Sequence, residues 1–436
     1  MRHTIALLPL AALAAALGAG CAPSPESSAE AAAPAQTAAV EPPPAAAEPA
    51  ARGQCTPLET RAPNAADQEP AIRGQTRACG VRSSVAFDVQ VVARGLEKPW
   101  AVEPLPGGGL LVTEKAGRMR IVSPSGEVGP SIAGVPEVDA RGQGGLLDVA
   151  LSPRFASDRT VYWSYSEPRE GGNGTSVARG VLSPDGTRLS DVRVILRTRP
   201  TYSNNAHFGS RLAFGPDGNL FVTTGDRSNR ETRPQAQQLD SHLGKTLRIT
   251  PEGRPAPGNP FIGRQGALPE IWSLGHRNIQ SAAVDPQGRL WTVEHGTRGG
   301  DELNLVEAGK NYGWPLATYG VEYRGGTISS AAGTAATTRP GTEQPVYYWD
   351  PVVAPSGMEI YTGDAFPAWR GSVFVGGLAS MRLVRLELED GRVTGEEHLL
   401  ADRNKRIRDV RQGPDGALYV VTDEENAELW RIAPRG

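Results

Sequence analysis

The sequence predicts an all-β protein, a six-bladed β-propeller of four-stranded antiparallel sheets, and three observations carry that expectation. One pattern recurs six times: an apolar strand, a turn built from Pro with Asp, Gly or Asn, then a second strand rich in β-branched and aromatic residues. Turn formers are abundant, with 52 Gly and 37 Pro in 436 residues. Helical periodicity is nearly absent, and only Gln235 to Leu243 reads as a helical turn. A lone hairpin is unstable, and a spacing of roughly 50 to 80 residues leaves room for four strands per repeat. Radial closure then removes long exposed edges, which a pair of β-sandwiches with the same recurrence would not do.

Taken in chain order, residues 1–20 form an export signal: Arg2 and His3, an apolar run from Ile5 to Leu17, and small residues before Cys21. The run is too short to span a bilayer. It resembles a lipoprotein-type signal peptide, which implies lipidation at Cys21 and a periplasmic or cell-envelope location. Residues 21–50 are a tether expected to be disordered, with 12 Ala, 7 Pro and 4 Glu between Ala22 and Ala50. That composition buries no core, and proline breaks any alanine-driven helix. Residues 51–84 form an N-terminal extension holding Cys55 and Cys79, which an exported protein is expected to join as a disulfide.

The propeller is expected over residues 85–436. Its repeats start with VEPLPGGGLLVTEK from Val102 and VALSPRFASDRTVYWSYS from Val149, then LAFGPDGNLFVTTGD from Leu212 and AAVDPQGRLWTVEHG from Ala282. The last two begin at Ile360 and Val410. A net charge of −3, from 45 basic and 48 acidic residues, excludes a polycationic nucleic-acid binder, and 39% hydrophobic residues exclude a wholly disordered chain.

A propeller places its site at one mouth of the channel, so functional residues should be scattered among loops. His207 stands after an Asn-rich loop and just before a strand. A second dense stretch contains Arg277, Asn278, Gly296, Thr297, Asp301, Glu302 and Tyr312, an oxygen-rich set of the kind that suits a hard cation. Arg406 and Arg408 sit two apart on a strand, facing one side, where they could grip carboxylates.

The motifs HFGSRLAFGPDGNLFVTTGD, LGKTLRI, LGHRNIQ, EHGTRGGDELN, KNYGWP, APSGM and RIRDV, in this order, resemble those of the soluble aldose sugar dehydrogenases that use pyrroloquinoline quinone (PQQ), relatives of soluble glucose dehydrogenase. The resemblance implies PQQ and Ca²⁺ at the channel mouth and oxidation of the C1 hydroxyl of an aldose to an aldonolactone. It also implies delivery of electrons to an external quinone or redox protein. His207 falls on the catalytic histidine, with Asp226 and Arg277 beside it, and Gln143 on a substrate-side glutamine. Arg277, Asn278, Arg406 and Arg408 match cofactor contacts. Gly296 and Thr297 match carbonyl ligands of the cofactor's Ca²⁺, and Asp301, Glu302 and Tyr312 a second calcium region. Two departures stand out. Ala379 and Ser380 replace a lysine-containing stretch, where Arg382 could substitute, and Asp350 replaces an aromatic residue over the cofactor. Two rival readings remain, a calcium-dependent propeller lactonase or esterase and a non-enzymatic surface-binding propeller. The three arginines at 277, 406 and 408 argue against the hydrolase.

Overall fold

The computed structural model describes residues 55–436, so the signal peptide, Cys21 and the tether lie outside the described residues. Six small antiparallel sheets follow one another along the chain, with one added two-stranded hairpin. Their inner strands are Pro99–Pro104, Leu146–Leu151, Leu212–Phe214, Ile279–Val284, Pro355–Ile360 and Ile407–Gln412, and they define blades 1 to 6. Each inner strand packs on the next, and that of blade 6 packs back on that of blade 1. The ring is therefore a closed six-bladed propeller.

Closure is made by the first and last strands. Phe87–Leu96 forms the outer strand of blade 6, pairing antiparallel with Ala427–Pro434 from Phe87 opposite Pro434 to Leu96 opposite Ala427. Apolar side chains fill the gaps between blades, and Trp163, Trp291, Trp369 and Trp430 are fully buried there. Strands such as Leu290–Glu294 are buried throughout because a neighbouring blade covers each face. The recurrent turn works as its composition demands: at Pro216–Gly218 the Gly215 N–H donates to Asn219 O at 2.8 Å, with Gly218 at φ +75°.

Two details differ from the sequence expectation. Blade 1 has three regular strands, and its fourth position holds an irregular strip, in which Gly129 and Ile132 N–H donate to Ile121 O and Met119 O. Pro130 interrupts that ladder, having no N–H to give. The expected helical turn at Gln235 to Leu243 is instead a 3₁₀ turn at Arg233–Gln237. The buried Lys245 ammonium donates to the carbonyls of Gln235, Ala236 and Leu243 at 2.7, 3.0 and 2.7 Å, taking acceptors that an α-helix would use. Among the described residues no helix is long and apolar enough to cross a membrane. Cys55 and Cys79 are joined as a disulfide, with Cα atoms 4.9 Å apart.

Around the channel axis three blades meet through charge. Arg211 lies 2.7 Å from Asp148 and 3.1 Å from Asp409, and all three are buried. The remaining oxygens accept backbone N–H groups of Leu212 and Val102 at 2.7 and 3.0 Å. Removing the shared cation leaves the two buried carboxylates only the more distant Arg411, at 3.8 and 4.0 Å. Arg211→Met should therefore lower unfolding free energy by about 3–5 kcal/mol in urea titration. A loss below about 1 kcal/mol would show that the pair is not a structural tie.

Candidate active site

One end of the channel collects loops from every blade. His207 arrives on the loop that leads into the inner strand of blade 3, with φ at +51°. Its peptide N–H donates to Gln143 Oε1 at 2.8 Å, so Gln143 fixes the loop that carries the imidazole. Asp226, just beyond the strand Leu220–Thr223, places Oδ1 2.6 Å from His207 Nδ1. Trp314 Nε1–H donates to the other carboxylate oxygen at 2.8 Å and Ser228 N–H to Oδ1 at 2.8 Å.

Burial pushes the His207 pKa below its ordinary value, the Arg277 guanidinium adds to that, and Asp226 opposes it. Burial works against ionisation of Asp226 too, but His207, Arg277 and the Ser228 N–H outweigh it and hold the carboxyl below its usual range. The result is a neutral imidazole whose Nδ1–H points at a carboxylate, leaving the Nε2 lone pair as a base.

The mouth beside this pair is a cavity of about 340 Å³ whose wall includes Lys98, Lys115, Arg406 and Arg408 with a single carboxylate, Asp423. Arg406 donates twice to Asp423 Oδ2, at 2.9 and 2.6 Å, and Arg408 lies 3.3 Å from Oδ1. Lys98 is paired outward with the exposed Glu425, while Lys115 Nζ donates to the Gly142 carbonyl at 2.5 Å. Burial lowers the Lys115 pKa, and the nearby Arg408 lowers it further. Asn278 Oδ1 accepts the Gly209 N–H at 3.2 Å, but its Nδ2 is buried without a partner, as is Arg277 Nε. A larger cavity of about 780 Å³ lies between blades 4 and 5, but its Arg289 and Arg370 are already paired with Asp285 and Asp364.

The expected metal residues divide. Gly296 and Thr297 lie at the mouth side of blade 4, where the Arg277 guanidinium donates to the carbonyls of His295, at 3.0 Å, and Gly296. A positive group thus already sits on the carbonyl expected to attract a cation, and the buried Thr297 Oγ1 nearby has no partner. These neutral oxygens make only part of the six to eight that Ca²⁺ takes, and carboxylate oxygens brought by a cofactor would supply both further ligands and the negative charge they lack. Asp301, Glu302 and Tyr312 are not gathered into a cage. Asp301 spends both oxygens on the N–H groups of Gly296 and Ala354, at 2.8 and 2.7 Å. Tyr312 spends its hydroxyl on Leu305 O, at 2.6 Å, and stacks on His276. Glu302 is buried, and burial with the neighbouring Glu294 pushes its carboxyl well above the usual range. Among the described residues no three Asp, Glu, His or Cys side chains come together to hold a metal.

The departures resolve in the same way. Asp350 does not cover the mouth; its carboxylate accepts N–H groups of Asn64 and Ala65 in the extension. Arg382 bonds Ser380 O and His398 Nδ1, at 2.9 and 2.7 Å, and supplies no charge to the mouth.

The Glucose / Sorbosone dehydrogenase family pattern matches residues 96–431. The chain belongs to that family. An aldose sugar dehydrogenase of Escherichia coli (strain K12) is 45% identical over 343 residues, covering 78% of this chain and 91% of its own. The apo crystal structure of the soluble aldose sugar dehydrogenase from Escherichia coli is 44% identical with a TM-score of 0.76, covering 80% of this chain and all of its own. The PQQ-bound aldose sugar dehydrogenase from Streptomyces coelicolor is 31% identical with a TM-score of 0.64, again over 80% of this chain and all of its own. Membership of the glucose/sorbosone dehydrogenase family makes the protein an oxidoreductase, a sugar dehydrogenase.

Sequence reasoning missed Lys98, Lys115 and Trp314. The chain has only five lysines, so two that stand at the edges of blade 1 strands were a readable signal. Trp314 stands in the KNYGWP motif, but nothing local ties it to Asp226, 88 residues away.

The electrostatics make a testable statement. His207 should titrate below about 6.5 by NMR in the cofactor-free protein. Because Asp226 is the group that raises this pKa, Asp226→Asn should lower it further, extending the neutral form to lower pH. A midpoint above the ordinary value in the wild type, or an upward shift in the variant, would contradict the burial-dominated account.

Proposed function

We propose that this glucose/sorbosone dehydrogenase family member oxidises the C1 hydroxyl of aldose sugars to aldonolactones with PQQ and Ca²⁺ as cofactors. The observation that carries the reading is the neutral His207 imidazole, held by the Asp226 carboxylate beside a mouth with more cations than anions. A tricarboxylate such as PQQ answers that imbalance, and the buried unpartnered Asn278 Nδ2 and Arg277 Nε fit polar atoms of a bound planar quinone. Bound PQQ supplies an electrophilic carbonyl able to accept hydride, which Ca²⁺ would polarise as a Lewis acid.

This chain's own residues do the rest. Arg406 and Arg408 would hold cofactor carboxylates, with Asp423 keeping both guanidinium groups oriented. The carbonyls of Gly296 and Thr297 would hold the cofactor's Ca²⁺. His207 Nε2 takes the proton of the C1 hydroxyl, and Asp226 holds the tautomer and stabilises the imidazolium that forms. Gln143 holds the His207 loop through its Oε1 and faces the cavity, where its amide can meet the sugar. An external quinone or redox protein would then remove the electrons. Export to the periplasm or cell envelope, with an anchor at Cys21, belongs to the same proposal and is supported by the leader sequence and the oxidised Cys55–Cys79 pair.

Two variants test the assignment. Arg408→Ala should weaken PQQ binding by about 1.5–3 kcal/mol in a visible-absorbance titration with Ca²⁺ present, and an unchanged titration would leave it a strand-edge arginine. His207→Gln should keep PQQ binding and lose turnover by about 10² to 10⁴ per loaded molecule. Turnover within about threefold of wild type would remove the histidine from the chemistry.

The cofactor also governs the metal. Two carbonyls and a hydroxyl carry no negative charge, and Arg277 already donates to the Gly296 carbonyl, so calorimetry should show tight Ca²⁺ binding here only when PQQ is present, and Zn²⁺ should not substitute. Tight Ca²⁺ binding at the mouth of PQQ-free protein would contradict the joint site.

A further inference from the structure

The family match starts at residue 96, and related solved chains align over nearly their whole length while covering about four fifths of this one. The segment 55–80 lies ahead of that match. It has no strand or helix of its own, yet it is bonded to blade 4, and at its disulfide end Cys79 O accepts the Glu396 N–H of blade 5 at 2.9 Å. Ala71 and Ala78 N–H donate to the hydroxyls of Tyr319 and Tyr347, at 3.0 and 2.9 Å. Tyr348 N–H donates to Gln75 O at 2.8 Å, and the buried Gln75 amide donates to Pro345 O at 2.7 Å. Arg77 ties the segment to itself through the carbonyls of Glu59 and Arg61, and to the propeller through Asp350 O at 2.8 Å. The Cys55–Cys79 disulfide closes it.

The bonds converge on Asp350. Its buried carboxylate accepts Asn64 N–H and Nδ2–H on Oδ1, at 2.8 and 3.0 Å, and Ala65 N–H on Oδ2, at 2.9 Å. On its other side the same carboxylate lies against Gly299, where a Cβ would come within 2.8 Å of it. Gly299 has φ +84°, and the next N–H, of Gly300, donates to Trp349 O at 3.0 Å. Asn64 Oδ1 also accepts from Arg298 Nε at 3.0 Å. The turn Gly296–Gly300 is thus walled by Asp350 and pinned by Asn64. Without the segment, Asp350 would be a buried carboxylate short of three donors and would turn toward water, leaving a glycine-rich turn without its wall.

We propose that the disulfide-closed segment 55–80 is a positioning strap that acts through Asp350 to fix the turn carrying the Gly296 and Thr297 carbonyls, so that retention of PQQ and Ca²⁺ depends on it. The part concerning cofactor retention rests on the function proposed above; the part concerning the turn does not.

Hydrogen exchange on cofactor-free full-length protein tests the turn, and Ca²⁺-dependent PQQ titration tests retention. Two variants are compared with wild type: Asn64→Ala, which removes the side-chain bonds to Asp350 and Arg298, and Cys55→Ser with Cys79→Ser, which removes the cross-link. Amide exchange at Gly299 and Gly300 should rise about tenfold in each, with the Leu146–Leu151 strand of blade 2 unchanged. PQQ affinity should fall by about tenfold or more, as for other groups that orient metal ligands. Should the double variant speed exchange in blade 2 as well, Asn64→Ala decides alone. Unchanged exchange in the turn overturns the strap whether or not the wild type binds PQQ. Faster exchange with undiminished PQQ affinity overturns its link to the cofactor. A wild type that binds no PQQ defeats the proposed function and leaves the exchange result to judge the strap.

Discussion

Pairing of Phe87–Leu96 with Ala427–Pro434 is the contact on which the remaining geometry rests. Six twisted sheets each bury their faces against two neighbours, so an unclosed ring would leave two faces and their edges bare. Closure also decides what the mouth contains. Lys98 follows the first closing strand at once, its N–H donating to Glu424 O at 2.8 Å, while Arg406, Arg408 and Asp423 belong to the closing blade itself. The positive wall is therefore assembled across the seam, from residues more than 300 positions apart.

Charge is handled in two opposite ways along the channel. On the axis, Arg211 is matched by Asp148 and Asp409, and a second arginine, Arg411, lies 3.6 Å from Glu103 and 4.0 Å from Glu359. There burial pushes Glu103 up to about 8 and Glu359 up to about 7, against the pull of Arg411. At the mouth the balance reverses, and cations outnumber their partners. Buried ionic groups are poor stabilisers when left unmatched, so an unmatched set at an accessible mouth reads as binding capacity, while the matched set on the axis reads as a tie between blades. The same burial that would penalise a charged His207 leaves it neutral and basic, which is the state a proton abstraction needs.

Much of this was legible in the sequence, for physical reasons that also mark the limit. The propeller showed because each blade repeats one local problem, a Pro/Gly turn between two apolar strands, and local signals survive in a linear string. His207 with Asp226, and Arg406 with Arg408, showed because each pair lies within one repeat. Two of the missed contacts join distant parts of the chain, Trp314 on Asp226 and Asn64 on Asp350; the third, Lys245 on the carbonyls that dissolve the expected helix, is local and shows only once its ammonium is buried. Asp350 is the instructive residue. Read alone it is a gap in the cofactor's cover, whereas in the fold it anchors a segment nearly 300 residues earlier in the chain. Tyr312 likewise has a partner that its motif does not reveal, since its hydroxyl donates to Leu305 O.

In the proposed function the mouth joins a base to a tightly held redox cofactor and acts on a sugar's C1 hydroxyl. A single-turnover experiment without any electron acceptor addresses it most directly: PQQ- and Ca²⁺-loaded protein is mixed with one equivalent of an aldose under nitrogen, and the visible spectrum and sugar products are followed together. The account predicts conversion of oxidised to reduced cofactor with one aldonolactone formed per cofactor. An unchanged cofactor spectrum across a panel of aldoses, or hydrolysis of added lactone by protein free of PQQ, would contradict it.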